Sequence, residues 1–342
     1  MTAPTVYYSD DAGAPVLTNG QDAFYQVLKA CLIDGYGSKA AAGWSVVYDD
    51  WAASGHASFT NAGQSGVLGL VRAATVDYPP FMYVAEAMID ALTAVNARSG
   101  ERAIADISTD FIEGSSEVTQ RPVSYKTHYP YWCVVANENF AWVWMSSHDT
   151  VFTTAISNSV VSTVGFGAVR NFRGLGSPAA PQSGNFVIFG GANTERIAAL
   201  NAYGFFNSAG IFTNYSSTVF YGLDGQILDG GGSYCFWPFF IAAGDNRQNG
   251  VGEQDDSIIE LPLLPCSVWL LTDGQSNTRY GNQVCAMAGV YANPAACLYD
   301  DWLDRMFVGD LKTEFNIAGK TFLKVRLTNN VAFLSLDASD WA

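Results

Sequence analysis

Apolar residues recur along this chain with two different periods, and the change of period separates helix from sheet. Phe24, Val27, Leu28, Cys31 and Leu32 follow one another at three- and four-residue spacing, which gathers them on one face of a helix. Thr18-Asn19-Gly20-Gln21 ahead of them has the form of a capping box, and Gly35-Tyr36-Gly37 behind them is a glycine stop. A helix is therefore expected over Asp22–Ile33, packed on one face of a sheet. A second is expected from Phe81 to Val95, after Pro79-Pro80, with Ala85, Met88, Ile89, Leu92 and Val95 on its buried stripe.

Most of the remainder reads as strand and turn. Tyr131–Ala136 and Phe140–Ser146 are β-branched and aromatic runs separated by Asn137-Glu138-Asn139, the length and chemistry of a hairpin loop. Phe140, Trp142 and Trp144 then fall on one face. Near the C-terminus, Leu323, Val325 and Leu327 alternate with Lys324, Arg326 and Thr328, and Asn329-Asn330 turns the chain into Val331–Leu336. This is the pattern of a half-buried hairpin. The expected fold class is α+β, mainly antiparallel sheet with a few short helices packed on it.

Between the hairpins, residues 190–250 are rich in Gly, Asn, Ser, Phe and Tyr and poor in charge. Phe205, Phe206, Phe220, Tyr221, Phe236, Trp237, Phe239 and Phe240 would leave a patch larger than monomers tolerate unless something covers them. They are expected to form a subunit interface in a homo-oligomer, or else an extra core.

Composition narrows the function. Of 342 residues 49% are hydrophobic and 14% charged, so the chain folds around a sizeable core. Seventeen basic residues against thirty-two acidic ones give a formal charge of -15, a field that repels a phosphate backbone and argues against nucleic acid as a partner. No apolar run is long enough to span a bilayer, and the N-terminus lacks the basic region of a secretory signal, so no membrane partner is expected. The six dispersed cysteines include no C-x-x-C pair and are expected to be buried free thiols.

The sequence offers few candidates for chemistry. Asp273-Gly274-Gln275-Ser276-Asn277, after the apolar run Val268–Leu271, looks like the nucleophile block of SGNH-type carbohydrate esterases. Such a serine needs a histidine base, and no histidine follows His148. His56, His128 and His148 stand in different segments, with no metal-ligand spacing. Asp10-Asp11, Asp49-Asp50, Asp255-Asp256 and Asp300-Asp301 are adjacent pairs, which on a strand point to opposite faces and suit solvated turns better than a catalytic dyad. The acidic stretch Asp245–Asp256 lacks the spacing of a calcium-binding loop, and Gly222–Gly232 matches neither nucleotide-binding fingerprint. No catalytic residue, cofactor or metal site is expected.

Several segments together resemble a family of bacteriophage virion structural proteins, tail- or capsid-associated and often without a defined role. They are Val6–Leu17, the helical segment Gln21–Tyr36 with Gly37–Trp44, the Trp-rich strand pair Tyr131–Met145, a glycine-aromatic turn at Gly165-Phe166-Gly167, and the strand Asn185–Gly191. Gly319–Phe322 and Leu336–Trp341 resemble the closing strands. The resemblance implies a non-enzymatic virion protein, tail- or baseplate-associated, assembled in the host cytoplasm with other virion proteins. Alternatives are a capsid decoration protein on the head surface and a carbohydrate-binding receptor or depolymerase protein, whose exposed Trp and Tyr would stack on sugar rings. The matching pieces run from end to end, so residues 1–342 are expected to form one unit, with 204–284 as an insertion.

Overall fold

The computed structural model describes residues 2–17, 21–72, 80–85, 87–90, 93–96, 100–103, 119–120, 131–146, 161–169, 186–190, 232–237, 263–273, 279–292, 312–327 and 330–341. They are mostly antiparallel strand with a few short helices, the class that the hydrophobic periods predicted.

The first sheet runs in the order β1 (Thr5–Tyr8), β10 (Tyr131–Ala136), β11 (Phe140–Ser146), β12 (Val161–Ala168) and β13 (Phe186–Gly190). A second is ordered β2 (Ser45–Asp50), β3 (His56–Thr60), β4 (Val67–Val71), β5 (Phe81–Ala85) and β9 (Thr119–Gln120). Strands β6 (Ala87–Asp90), β7 (Thr93–Asn96) and β8 (Gly100–Ala103) form a small third sheet. The fourth comprises β14 (Gly232–Trp237), β15 (Leu264–Asp273), β16 (Arg279–Ala292), β19 (Asn330–Ser335), β18 (Lys320–Leu327) and β17 (Glu314–Ile317), in that order. Strands from the stretch read as an insertion thus share a sheet with the C-terminal hairpin.

Helix α1 (Gln21–Lys29) continues into a π-turn, Ala30–Asp34. Its stripe of Phe24, Val27, Leu28, Cys31 and Leu32 is buried as the spacing required. The wider turn ends at Gly35, whose φ of 75° suits glycine and whose N–H donates to Ala30 O at 2.8 Å. The capping box at Thr18–Gly20 lies outside the described residues.

This stripe packs in one core with the second sheet and with one face of the first, formed by Trp132, Val134, Ala136, Ala141, Val143, Met145, Val164 and Phe166. The opposite face of the first sheet is covered too. Cys133, Val135, Phe140, Trp142 and Trp144 are all buried, with Trp142 against Phe140 and Trp144 at ring separations of 5.3 and 6.1 Å. A sheet buried on both faces explains why these strands read as continuous apolar runs without polar alternation. The cysteines Cys31, Cys133 and Cys266 are free and buried; Cys235 and Cys285 lie on strands β14 and β16, and Cys297 is outside the described residues.

Four expectations are corrected. The segment Phe81–Val95 is not helical: β5 pairs with β4 from Val67↔Ala85 to Val71↔Phe81, and β6 and β7 follow it. Phe81-Met82-Tyr83-Val84 is an aromatic and β-branched run, and the edge of β4 offers it a hydrogen-bonded ladder, which overrides a weak helical spacing. Gly165-Phe166-Gly167 is not a turn but lies inside β12, and Leu336–Trp341 is not a strand but leads into a 3-10 turn, Ala338–Trp341. The C-terminal hairpin forms in the expected place, with Leu323↔Leu334 and Val325↔Ala332 paired, but both its faces are covered: Phe322 and Lys324 are buried beside Leu323 and Val325.

Candidate functional site

The N-terminal motif builds an interlock between the first sheet and the end of the helix. Strand β1 pairs with β10, and the next residue, Ser9, donates to Trp132 O at 3.0 Å. The chain then folds back at Asp11. One carboxylate oxygen of Asp11 accepts from the backbone N–H of Tyr8 at 2.8 Å and from the hydroxyl of Tyr36 at 2.9 Å, with Lys39 at 3.7 Å. Tyr7 donates to Ala40 O at 2.7 Å, and Lys39 to Val6 O at 2.9 Å. Gly37 is needed for this closeness, because a Cβ there would stand 2.1 Å from Ala12 O. Burial pushes the hydroxyl pKa values of Tyr7 and Tyr36 up, with the nearby Cys31 thiol adding to both.

Two further clusters repeat the same chemistry, a tyrosine hydroxyl and a lysine ammonium on one aspartate. On α1, Tyr25 and Lys29 both donate to Asp49 of β2 at 2.7 Å. Burial alone would raise the Asp49 carboxyl, but the hydrogen bonds from Lys29, Tyr25 and the Trp51 N–H outweigh it and hold the group below its ordinary range. In the fourth sheet, Tyr291 of β16 and Lys320 of β18 donate to Asp340 at 2.7 and 2.6 Å, and Ser335 donates to its other oxygen at 2.6 Å. Asp340 is likewise held low against the effect of burial. Each cluster ties together elements distant in sequence.

These acids were expected in solvated turns. Asp11 and Asp49 are instead engaged in ordered networks; Asp10 does lie exposed in a turn, where it meets Lys312, whose ammonium also lies 5.2 Å from the Tyr8 ring. The contacts of Asp11 and Asp49 hold backbone and side chains of separate segments in place. Among the described residues, no group of three or more His, Cys, Asp and Glu side chains could hold a metal ion.

Among the described residues, six of the nine tryptophans are used in the interior. Trp44 donates to Asn137 O at 2.9 Å and stands edge-on to Phe166 and Phe186; Trp132 donates to Pro15 O at 3.1 Å. Trp51 donates to Asp22 at 2.7 Å, and Arg72 lies over its ring while pairing with the same aspartate. Trp44, Trp51, Trp132, Trp142, Trp144 and Trp341 are all buried, so none offers a platform for stacking on a sugar.

Of the residues expected at an interface, Phe205, Phe206, Phe220, Tyr221, Phe239 and Phe240 lie outside the described residues, while Phe236 and Trp237 belong to strand β14. Ser276, His128, His148, Asp255-Asp256 and Asp300-Asp301 also lie outside. His56 is buried on β3, with its ring 5.1 Å from that of Tyr48. The sequence reading missed the tyrosine–lysine–aspartate clusters. Their local signals are the short spacings Tyr25/Lys29 on the helix and Tyr36/Lys39 in the turn after it; the aspartate comes from elsewhere in each case. Scans against models of known protein families and against curated proteins give no match to this chain.

Proposed function

We propose that this chain is a non-enzymatic structural subunit of a bacteriophage particle, tail- or baseplate-associated, that assembles with other virion proteins. What supports the reading is the use made of the segments that resemble that family. Val6–Leu17, Gly37–Trp44 and Tyr131–Met145 meet in one interlock, and their polar groups are spent on holding backbone segments together. Residues of that kind make a rigid body that can be repeated in an assembly. The acidic charge keeps free copies apart until specific contacts form.

The test is mass spectrometry of purified virions, followed by localisation with a labelled copy. The chain should be present in a fixed copy number per particle, on the tail or baseplate; label on the head surface would move it to the decoration class. Absence from particles would remove the proposal. An assay on acetylated sugars and ester dyes is expected to show no turnover, and turnover lost in Ser276→Ala would reassign the chain as an esterase.

A further inference from the structure

We propose that the outer edge of β2 is an attachment site for an extended, Lys/Arg-bearing segment of a partner protein, which adds to the second sheet as a further strand. This deepens the structural reading above and rests on it.

Strand β2 is the outermost member of its sheet, paired with β3 on one side, and among the described residues no hydrogen bond reaches its other edge from Val46 to Tyr48. Val46 and Val47 are 42% and 41% exposed, two of the three large apolar residues exposed among the described residues. An exposed edge of this length is a template for another strand: main-chain groups supply hydrogen bonds, and side-chain positions supply selectivity.

The edge carries its own selectivity. Its register slips by one residue between Val46 and Tyr48, so Val47 is a bulge, which kinks the edge and works against unselective pairing. At the far end stands Asp50. At the near end, Trp44 N–H donates to Leu32 O, which brings the exposed Asp34 close to the start of the strand. Asp34 and Asp50 have no ion-pair partner among the described residues, whereas Asp49 between them is taken by Lys29. A strand that lies along β2 thus meets two apolar side chains flanked by two uncompensated acids. A basic segment answers that pattern. A second copy does so poorly: two β2 edges side by side would bring the acids of one close to those of the other, on a chain with formal charge -15.

The probes are two dye-labelled extended peptides with the same alternating Val/Thr centre, one with lysines at both ends and one with glutamates, titrated by fluorescence anisotropy against the full-length protein. The lysine peptide is expected to bind at least tenfold more tightly, to weaken about tenfold in 0.5 M salt, where ion pairs at an exposed edge are screened, and to slow amide exchange in β2. Val47→Pro should abolish binding with no change in melting temperature, since the outer edge tolerates proline. Should that variant unfold, Asp34→Lys/Asp50→Lys serves instead and should reverse the preference towards the glutamate peptide. Equal binding of both peptides, no binding of either, or a dimer in sedimentation that Val47→Pro dissolves would overturn the proposal. Virion mass spectrometry separates the two claims: a chain found in particles that ignores both peptides keeps the structural role and loses only the edge site.

Discussion

Trp142 on β11 donates its indole N–H to the carbonyl of Ala288 on β16 at 3.0 Å, across 146 positions of sequence. Both groups are buried. This bond joins the first sheet to the fourth, on the face of the first sheet turned away from α1. Replacing Trp142 by Phe keeps an aromatic ring but leaves the carbonyl without its donor. The expected loss is about 1–3 kcal/mol of unfolding free energy, the usual cost of a buried group left unsatisfied. Urea unfolding of the variant beside the parent checks it.

The ring of Trp142 needs room on the neighbouring strand. Gly165 pairs directly opposite, and a Cβ there would stand 2.5 Å from the indole. Gly165→Ala is therefore expected to destabilise by about 1–3 kcal/mol through overpacking, with a shift in near-ultraviolet circular dichroism as the indole is displaced. An unchanged melting temperature would contradict the packing described for this face.

The β17–β18 hairpin turns through Ala318 and Gly319, with φ of 52° and 81°, between the paired residues Ile317 and Lys320. Two central residues at positive φ make this the turn that favours Asn-Gly. Ala318 is the residue out of place, because a left-handed conformation costs a side chain such as alanine roughly 1–2 kcal/mol. Ala318→Asn should raise stability by up to about 1 kcal/mol, readable as a higher denaturant midpoint.

Asp340 gives the fourth sheet an acid-sensitive joint. Burial works to raise its carboxyl, yet hydrogen bonds from Lys320, Ser335 and Tyr291 hold it below the ordinary range. A folded-state value below the unfolded one stabilises above the unfolded pKa of about 4 and is lost as pH falls through the folded value. Asp340→Asn should therefore flatten the decline of melting temperature between about pH 4.5 and 2. Lys320 acts with the opposite sign: its hydrogen bond to Asp340 raises it, so its share persists below its ordinary value and fades only as pH rises through the raised one.

Cys31 and Cys133 sit deep in the structure, where burial pushes both thiols well above their ordinary range. With Cys266 also buried, all three should resist iodoacetamide in the native protein and react once it is denatured. Peptide mapping before and after unfolding separates them from the remaining cysteines. Rapid native labelling of Cys133 would show that the first sheet opens far more readily than its burial implies.

The sequence by itself determined the elements whose burial is one-dimensional. The stripe from Phe24 to Leu32 makes a helix wherever it is placed, because its spacing leaves one apolar face to hide. The hairpin Tyr131–Ser146 was equally legible, since a short polar loop between two aromatic runs leaves few other pairings. Only tertiary structure decided what happens where two periods compete. At Phe81–Ala85 the apolar positions suited either a helix or a strand, and the open ladder of β4 settled it. Tertiary structure also decided which polar residues act together. Asp11 and Asp49 read as members of acid pairs in solvated turns and Asp340 as part of a closing strand, yet each collects a tyrosine and a lysine drawn from other elements. A carboxylate shows its partners only when folding brings distant strands within about 3 Å, and hydrophobic periodicity carries no record of that distance.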